Sequence, residues 1–208
     1  MLMRKIADST VRRLSLYLRL LEEFAAEGVA TVSSDALAHR GTTTAAQVRK
    51  DLSFFGSFGK RGMGYRVPEL VSTLRDILGL ERAYAVVVIG AGKVGSALAQ
   101  FGGFAHRGFH VTGVYDRDPA KIGQGWEGVT IRDVDRLDED LAAQPAEIAI
   151  VAVPPESAQE VTDRLIAAGV KAILNFAPVP LTVPADVTVK HVNMALELET
   201  LSYALRHR

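Results

Sequence analysis

Apolar residues recur at three- and four-residue spacing through the first part of the chain and gather into unbroken runs after Ala85, which predicts a helical head followed by a sheet-and-helix body. Val11, Leu14, Leu18, Leu21 and Ala25 fall on one face of a helix that Ser9-Thr10 open and Gly28 closes after Glu27. Ser33-Ser34 then open a short helix, Asp35 to His39, which Arg40-Gly41 breaks. Thr44 and Gln47 stand in capping-box spacing, so a third helix is predicted from Ala45 to Phe55, with Gly56 ending it. Its inward stripe is Ala45, Val48, Leu52 and Phe55. That leaves Ala46, Lys50 and Ser53 on the opposite face, with Gln47 and Arg49 at the flanks. Gly59, Gly62 and Gly64 permit tight turns around Lys60-Arg61, and Tyr65-Arg66-Val67 alternates as a strand. Pro68 starts a fourth helix, Glu69 to Leu78, whose face of Leu70, Leu74, Ile77 and Leu78 suits a connection between domains. Three helices and a basic hairpin describe a winged helix.

The body reads differently. Ala85 to Ile89 is a fully buried strand by composition, and it feeds Gly90-Ala91-Gly92-Lys93-Val94-Gly95 and then a helix from Val94 to about Phe101. A second strand, His110 to Tyr115, ends in Asp116, and Asp116-Arg117-Asp118-Pro119 turns into Ala120-Lys121-Ile122-Gly123. Glu147 to Val153 is another strand, stopped by Pro154-Pro155; a helix, Glu156 to Ala168, leads into a further strand, Val170 to Leu174. This alternation predicts an α/β fold with a parallel, doubly wound sheet. Loops at the carboxyl ends of its strands, Val153-Pro154 and Asn175-Phe176-Ala177-Pro178, are expected to border a ligand. Val192 to Leu205 is a helix-compatible apolar stretch with Leu196, Leu201, Ala204 and Leu205 available for packing. So little core remains for it to cover that a partner subunit is expected there.

The glycine turn is a dinucleotide signature in the right place, after a strand and before a helix. Gly90 makes the tight turn, Gly92 lets a pyrophosphate approach the backbone, and Gly95 lets helix and sheet pack closely. Asp116 lies about twenty residues after Gly95, where a carboxylate accepts both ribose hydroxyls of adenosine and favours NAD over NADP. Arg117 follows it and is placed to pair with a 2′-phosphate, which leaves that preference open. No nucleophile elbow, P-loop or His-carboxylate pair is present, and His39, His106, His110, His191 and His207 have no metal-ligand spacing.

Charge separates the two halves. Formal net charge is zero, yet residues 1–82 hold 13 Lys and Arg against 9 Asp and Glu, while residues 83–208 hold 11 against 15. Between Arg40 and Arg66 six basic residues face one acid, Asp51, as expected of a surface that contacts phosphates. In such a head Gln47 suits adenine, Arg49 and Lys50 suit guanine or phosphate, and Lys60-Arg61 suit a narrow minor groove or the backbone beside it. With 208 residues, 48% of them hydrophobic, two small domains are expected. The absence of cysteine excludes disulfides and thiolate metal sites. No metal and no membrane association are expected, and a cytoplasmic location is the default, since Met1 to Asp8 lacks the apolar core of a signal peptide.

Gln47-Val48-Arg49-Lys50-Asp51-Leu52-Ser53-Phe54-Phe55-Gly56, Phe58-Gly59-Lys60-Arg61-Gly62-Met63-Gly64-Tyr65, the Gly90 to Gly95 turn and Ile173-Leu174-Asn175-Phe176-Ala177-Pro178 together closely resemble the Rex redox-sensing transcriptional repressors. The resemblance spans nearly the whole chain in one order. It implies a winged-helix DNA-binding domain at residues 1–79, a Rossmann domain for NADH or NAD at 80–192, and a C-terminal dimerisation helix at 193–208 that is swapped into the partner. It further implies a homodimer on double-stranded DNA, a palindromic operator, that NADH releases. The DNA contacts would come from Ala46, Gln47, Arg49, Lys50, Ser53, Lys60 and Arg61. The cofactor contacts would come from Gly90 to Gly95, including Ala91, Lys93 and Val94, and from Asp116, Arg117, Lys121, Val153, Pro154, Asn175, Phe176, Ala177 and Met194. At the switch the family carries a tyrosine and an aspartate that join an arginine, here Arg19. This chain has Phe101 and Asn193 in those places, so the polar link cannot form in the same way. A rival reading is a small NAD- or CoA-binding enzyme subunit with an assembly domain; another is a regulator that senses a different nucleotide or CoA.

Overall fold

Asp8–Ala26 forms a 19-residue helix, α1, whose buried face is Leu14, Tyr17, Leu18, Leu21 and Phe24. The computed structural model describes residues 6–56, 58–59, 63–126 and 128–207, which fall into two compact units, Met1–Arg82 and Ala83–Arg208. Two expectations for α1 are corrected. Its N-cap is Ala7, with no side-chain cap, and Thr10 is buried in the first turn, where its hydroxyl accepts from Arg13 Nη2 at 3.1 Å. Val11 and Ala25 face solvent, because rotating the helix to bury the rings of Tyr17 and Phe24 removes more apolar area from water.

The rest of the first unit is built on α1. Thr31–Val32 (β1) is followed by Ser34–Arg40 (α2), capped by Ser33 Oγ accepting from Ala36 N at 3.0 Å. Ala45–Ser53 (α3) is capped by Thr44 Oγ1, which accepts from Gln47 N at 3.1 Å, and ends two residues before the expected Phe55. Tyr65–Arg66 (β2) pairs antiparallel with β1, a strand that the apolar pattern did not disclose. Val67, expected in that strand, begins Val67–Ile77 (α4) instead, with Pro68 in its first turn. Gly59 and Gly64 both have φ of +77°, and a Cβ on Gly64 would lie 2.5 Å from Val32 O. Only glycine lets the hairpin return so close to β1. Lys60 and Arg61, expected at its tip, lie outside the described residues.

In the second unit Tyr84–Ile89 (β3) leads to Lys93–Ala99 (α5), then Phe109–Asp116 (β4), Gly125–Trp126 (β5), Val129–Asp133 (β6) and Leu137–Ala143 (α6). Ile148–Val151 (β7), Pro155–Ala167 (α7), Ala172–Asn175 (β8) and Thr188–His191 (β9) complete a seven-stranded sheet in the order β5-β6-β4-β3-β7-β8-β9. Every pairing is parallel except β5 with β6. The six parallel strands, from β6 to β9, have the 3-2-1-4-5-6 order of a Rossmann fold. Its faces carry two apolar clusters, one around Val87, Leu137, Leu141, Val161 and Leu165, the other around Val86, Val88, Val114 and Ile131. The strands with no counterpart in the apolar pattern, β5, β6 and β9, lie toward the sheet's edges. Ile131 is the one fully buried residue of β6, and β9 has none, so neither shows the run that marks a central strand.

Met194–Arg206 (α8) begins two residues later and ends one residue later than the apolar stretch suggested. Val192 stays with β9, its N–H donating to Asn175 O at 2.8 Å, and Asn193 caps the helix by accepting from Ala195 N at 3.0 Å. No residue of α8 is buried: Met194, Leu196, Leu198, Leu201, Tyr203 and Leu205 are each at least 56% exposed. Among the described residues no helix is long and apolar enough to cross a membrane.

Candidate cofactor cleft and nucleic-acid interface

The sheet reverses its strand order between β3 and β7, and there a cleft of about 800 Å³ opens beyond the carboxyl ends of β3, β4, β7 and β8. Its floor follows from the glycines. Gly90 turns with φ of +99°, and a Cβ on it would lie 2.4 Å from Ala152 O. A Cβ on Gly95 would lie 1.7 Å from Gly90 O, so strand end and helix start touch through bare backbone. Gly92 differs from both: its φ of −77° is ordinary, and a Cβ there would meet nothing within 4 Å. The space at Gly92 belongs to the cleft, beside the first amides of α5, which have no helical acceptors.

Asp116 ends β4 and ties the turn to the cleft wall. Its Oδ2 accepts from Ala91 N at 2.6 Å and from Lys121 Nζ at 3.1 Å, and its Oδ1 accepts from Asp118 N at 2.9 Å. Burial opposes its charge, but the Asp118 amide, the Lys121 ammonium and the Ala91 amide outweigh it and hold the carboxyl below its ordinary range. Three of its four acceptor positions are thereby taken, which leaves one on Oδ1. Arg117 reaches across to α7, where its Nη1 donates to Ser157 Oγ at 3.4 Å.

Of the expected cofactor residues, Gly90, Gly92, Val94, Asp116, Arg117, Lys121, Val153, Pro154 and Phe176 line this cleft. Ala91 and Gly95 are buried and shape the turn, while Lys93 is exposed at the start of α5. Asn175 and Ala177 lie behind the cleft surface rather than on it. Both are buried, and the Asn175 side chain is used inside the protein: Oδ1 accepts from Ala177 N at 2.9 Å, and Nδ2 donates to Ala177 O at 3.2 Å and to Val179 O at 3.0 Å. It holds the loop that carries Phe176 and Pro178 into the cleft. Met194, 69% exposed on α8, does not line its own chain's cleft. Pro178, in a loop expected to border a ligand, lines it as well, and so do Tyr115, Val134, Ala152, Pro155 and Ser157, for which the sequence carried no such expectation. Ala152 and Pro155 adjoin the Val153-Pro154 loop; Tyr115 and Val134 carry no signal in the sequence. Tyr115 packs beside Arg132 and Asp140, with its hydroxyl donating to Asp140 Oδ2 at 3.2 Å.

In the first unit, Ala46, Arg49, Lys50 and Ser53 are exposed on α3. Arg49 Nη1 donates to Ser34 Oγ of α2 at 2.8 Å, and the Ser53 hydroxyl donates to Lys50 O at 2.7 Å. Gln47 is half-buried rather than free, because its Nε2 donates to Asp51 Oδ1 at 2.8 Å. Asp51, the lone acid of the basic stretch, is 1% exposed and receives both Arg13 Nε at 2.6 Å and Arg13 Nη2 at 2.7 Å. Tyr17 Oη donates to it at 3.0 Å. Burial and the neighbouring carboxylate push the Tyr17 hydroxyl up to about 12. Burial also opposes the charge of Asp51, yet Arg13, Gln47 and Tyr17 together hold its carboxyl below the ordinary range.

A pH dependence follows. Asp51 binds its proton less tightly folded than unfolded, so its stabilisation is complete above the unfolded carboxylate pKa of about 3.9 and is lost as pH falls through the lower folded value. Asp51→Asn is expected to lower stability at neutral pH by about 2–4 kcal/mol and to flatten the acid limb of a plot of stability against pH. An acid limb identical to that of the unaltered chain would contradict this account.

The three expected switch residues each have a local partner. Arg19 Nε lies 3.4 Å from Glu23 Oε1 on α1, the Phe101 ring packs edge-on against Phe104 at 5.0 Å, and Asn193 caps α8. Among the described residues no group of three or more His, Cys, Asp or Glu could hold a metal ion.

A family model described as "CoA binding domain" matches residues 81–179, and one described as "Putative DNA-binding protein N-terminus" matches residues 5–53. The redox-sensing transcriptional repressor Rex of Roseiflexus sp. (strain RS-1) is 45% identical over 203 residues, covering 98% of this chain and 92% of that protein. Among solved structures, RSP in complex with β-NAD+ and operator DNA matches with a TM-score of 0.93 at 39% identity, over 98% of this chain and 94% of that one. RSP in complex with β-NADH matches with a TM-score of 0.89 at 37% identity, over 98% and 96% of the two chains. These relatives are repressors, which does not favour the enzyme-subunit reading. A winged-helix head and a Rossmann sheet in this order, with identity of this level along almost the full length, place the chain in the Rex family of redox-sensing transcriptional repressors.

Proposed function

We propose that this chain binds NADH and NAD in the cleft at Gly92 and Asp116, binds a palindromic operator through α3 as a homodimer, and leaves the operator when NADH rises. The observation that carries the reading is the open space at Gly92 within a turn whose other two glycines are locked by backbone contact. Such a cradle serves a ligand, since nothing in the chain itself occupies it. The cofactor controls DNA binding only if NADH and NAD differ in affinity for two dimer arrangements. An uncharged dihydronicotinamide suits an apolar surrounding better than the cationic oxidised ring does. The exposed apolar side chains of α8 supply the dimer surface, with a second copy as their cover. Titrating NADH and NAD into the chain held on a palindromic duplex library tests the whole reading: NADH should release DNA and NAD should not. Equal release by both, or by neither, would refute it.

In this reading Arg49 and Lys50, exposed on α3, meet the phosphate backbone or base edges. Arg49→Ala and Lys50→Ala are expected to weaken DNA binding, and each lost phosphate contact should lower the salt slope by about one. Cofactor affinity should stay unchanged, since the cleft is formed by other elements. Wild-type DNA binding across several salt concentrations in either variant would remove α3 from the interface.

At the switch, the coupling relies on apolar contact from Met194 rather than on Arg19, whose ion pair with Glu23 is exposed. Release curves against NADH should therefore change less for Arg19→Ala than for Met194→Ala. The reverse ranking would show that Arg19 has another polar partner in the dimer.

A further inference from the structure

The Asp51 carboxylate has all four acceptor positions filled. Oδ1 takes Arg13 Nη2 and Gln47 Nε2, and Oδ2 takes Arg13 Nε and Tyr17 Oη, at 2.6 to 3.0 Å. Three of these bonds come from α1 and one from the preceding turn of α3, so the cluster fixes how α3 is seated. It fixes one further thing. An ionised carboxylate only accepts, so the Gln47 amide must face it with its NH2 group, and the carbonyl Oε1 is turned away. A glutamine amide otherwise spins about a broad, roughly two-fold torsion and offers either edge. Held by Asp51, it keeps one free N–H beside its carbonyl oxygen, which is the pair that matches N7 and N6 of adenine.

We propose that Asp51 is a positioning residue for operator discrimination: seated on Arg13 and Tyr17, it locks the amide of the half-buried Gln47 in the single orientation that reads adenine. This rests on α3 being the helix that enters the major groove. Asp51→Asn weakens the lock, because an amide in that place points N–H groups at the Arg13 guanidinium and either at Gln47, which must then reverse, or at Tyr17, which leaves Gln47 on a neutral carbonyl in place of a carboxylate. Arg49 and Lys50 remain available for phosphate, so sequence-independent binding is retained.

The test is a double-mutant cycle on the full chain without cofactor. The probes are a palindromic duplex selected by the unaltered chain from a random library and a scrambled duplex of the same length. Gln47→Ala and Asp51→Asn should each lower the preference for the selected duplex by about tenfold, with scrambled-duplex affinity and salt slope unchanged. The double variant should lose no more than either single one, since both remove the same contact. Reselection with Gln47→Ala should relax one adenine position in each half-site. Tyr17→Phe keeps the ring and deletes one bond, so it should show a smaller loss in the same direction, and it serves if Asp51→Asn folds poorly. Additive losses, or equal losses on both duplexes, overturn the proposal, the second because it marks Asp51 as merely structural. Unchanged preference in Gln47→Ala also overturns it. If Lys50→Ala then still weakens binding, only the positioning role has failed; if Lys50→Ala is silent too, α3 is not the reading helix.

Discussion

Gly92→Val should lower affinity for NADH and for NAD by about a hundredfold or more, while operator binding persists and no longer responds to NADH. Two features make the effect large and clean. A branched side chain fills the space through which a pyrophosphate would reach the amides of the turn, and each hydrogen bond lost to a charged phosphate is worth about 1.5–3 kcal/mol. The chain itself does not resist the substitution, since φ at Gly92 is −77° and a Cβ there meets no atom within 4 Å. The neighbouring glycines behave differently. A side chain on Gly95 would run into Gly90 O, and one on Gly90 would need φ of +99°, so Gly95→Val should unfold the sheet-bearing unit and abolish every activity together. Titration of the Gly92→Val chain with NADH by calorimetry, followed by a gel shift in excess NADH, gives the result. Release of DNA equal to that of the unaltered chain would mean that the cofactor lies elsewhere.

Paired replacement of Leu198 and Leu201 with aspartate is the second large effect expected. No residue of α8 is buried within its own chain, so the substitutions cost the isolated subunit almost nothing. In a dimer that covers α8 they place two charges in an apolar interface, at a cost of several kcal/mol. Sedimentation should show a monomer with an unchanged circular dichroism spectrum. Affinity for a palindromic duplex should fall by about a hundredfold or more, because one subunit holds only one half-site. A dimer that survives both aspartates would assign the subunit contact to another surface and leave α8 unexplained.

Local signals were legible in the sequence because their causes are local. The Gly90 to Gly95 turn needs only a strand before it and a helix after it. The caps Ser33 and Thr44 bond to amides three residues away, at 3.0 and 3.1 Å. Central strands such as β3 lie between neighbours on both sides and beneath helices, so they read as apolar runs. The resemblance to one family rests on such stretches, and they set the order of head, nucleotide fold and terminal helix without reference to any tertiary contact.

Tertiary structure decided what depends on residues far apart. Asp51 looked like a lone acid in a basic stretch; its partners Arg13 and Tyr17 stand 38 and 34 residues earlier, a separation that no spacing rule reaches. That pairing turned Gln47 from a free surface amide into an oriented one. Asn175 ties the Phe176 loop through the carbonyls of Ala177 and Val179 close by, and the pairing of β8 with β9 sets His191, 16 residues on, 3.1 Å from its amide nitrogen, which the sequence did not disclose. The edge strands β5 and β9 and the adjoining β6 were invisible for another reason: β6 has one buried residue and β9 none, so they need no apolar run, and only the ladder that pairs them defines all three. Sequence thus determined the elements whose stability is written into their own composition, and the fold decided every role that a residue acquires from a partner distant along the chain.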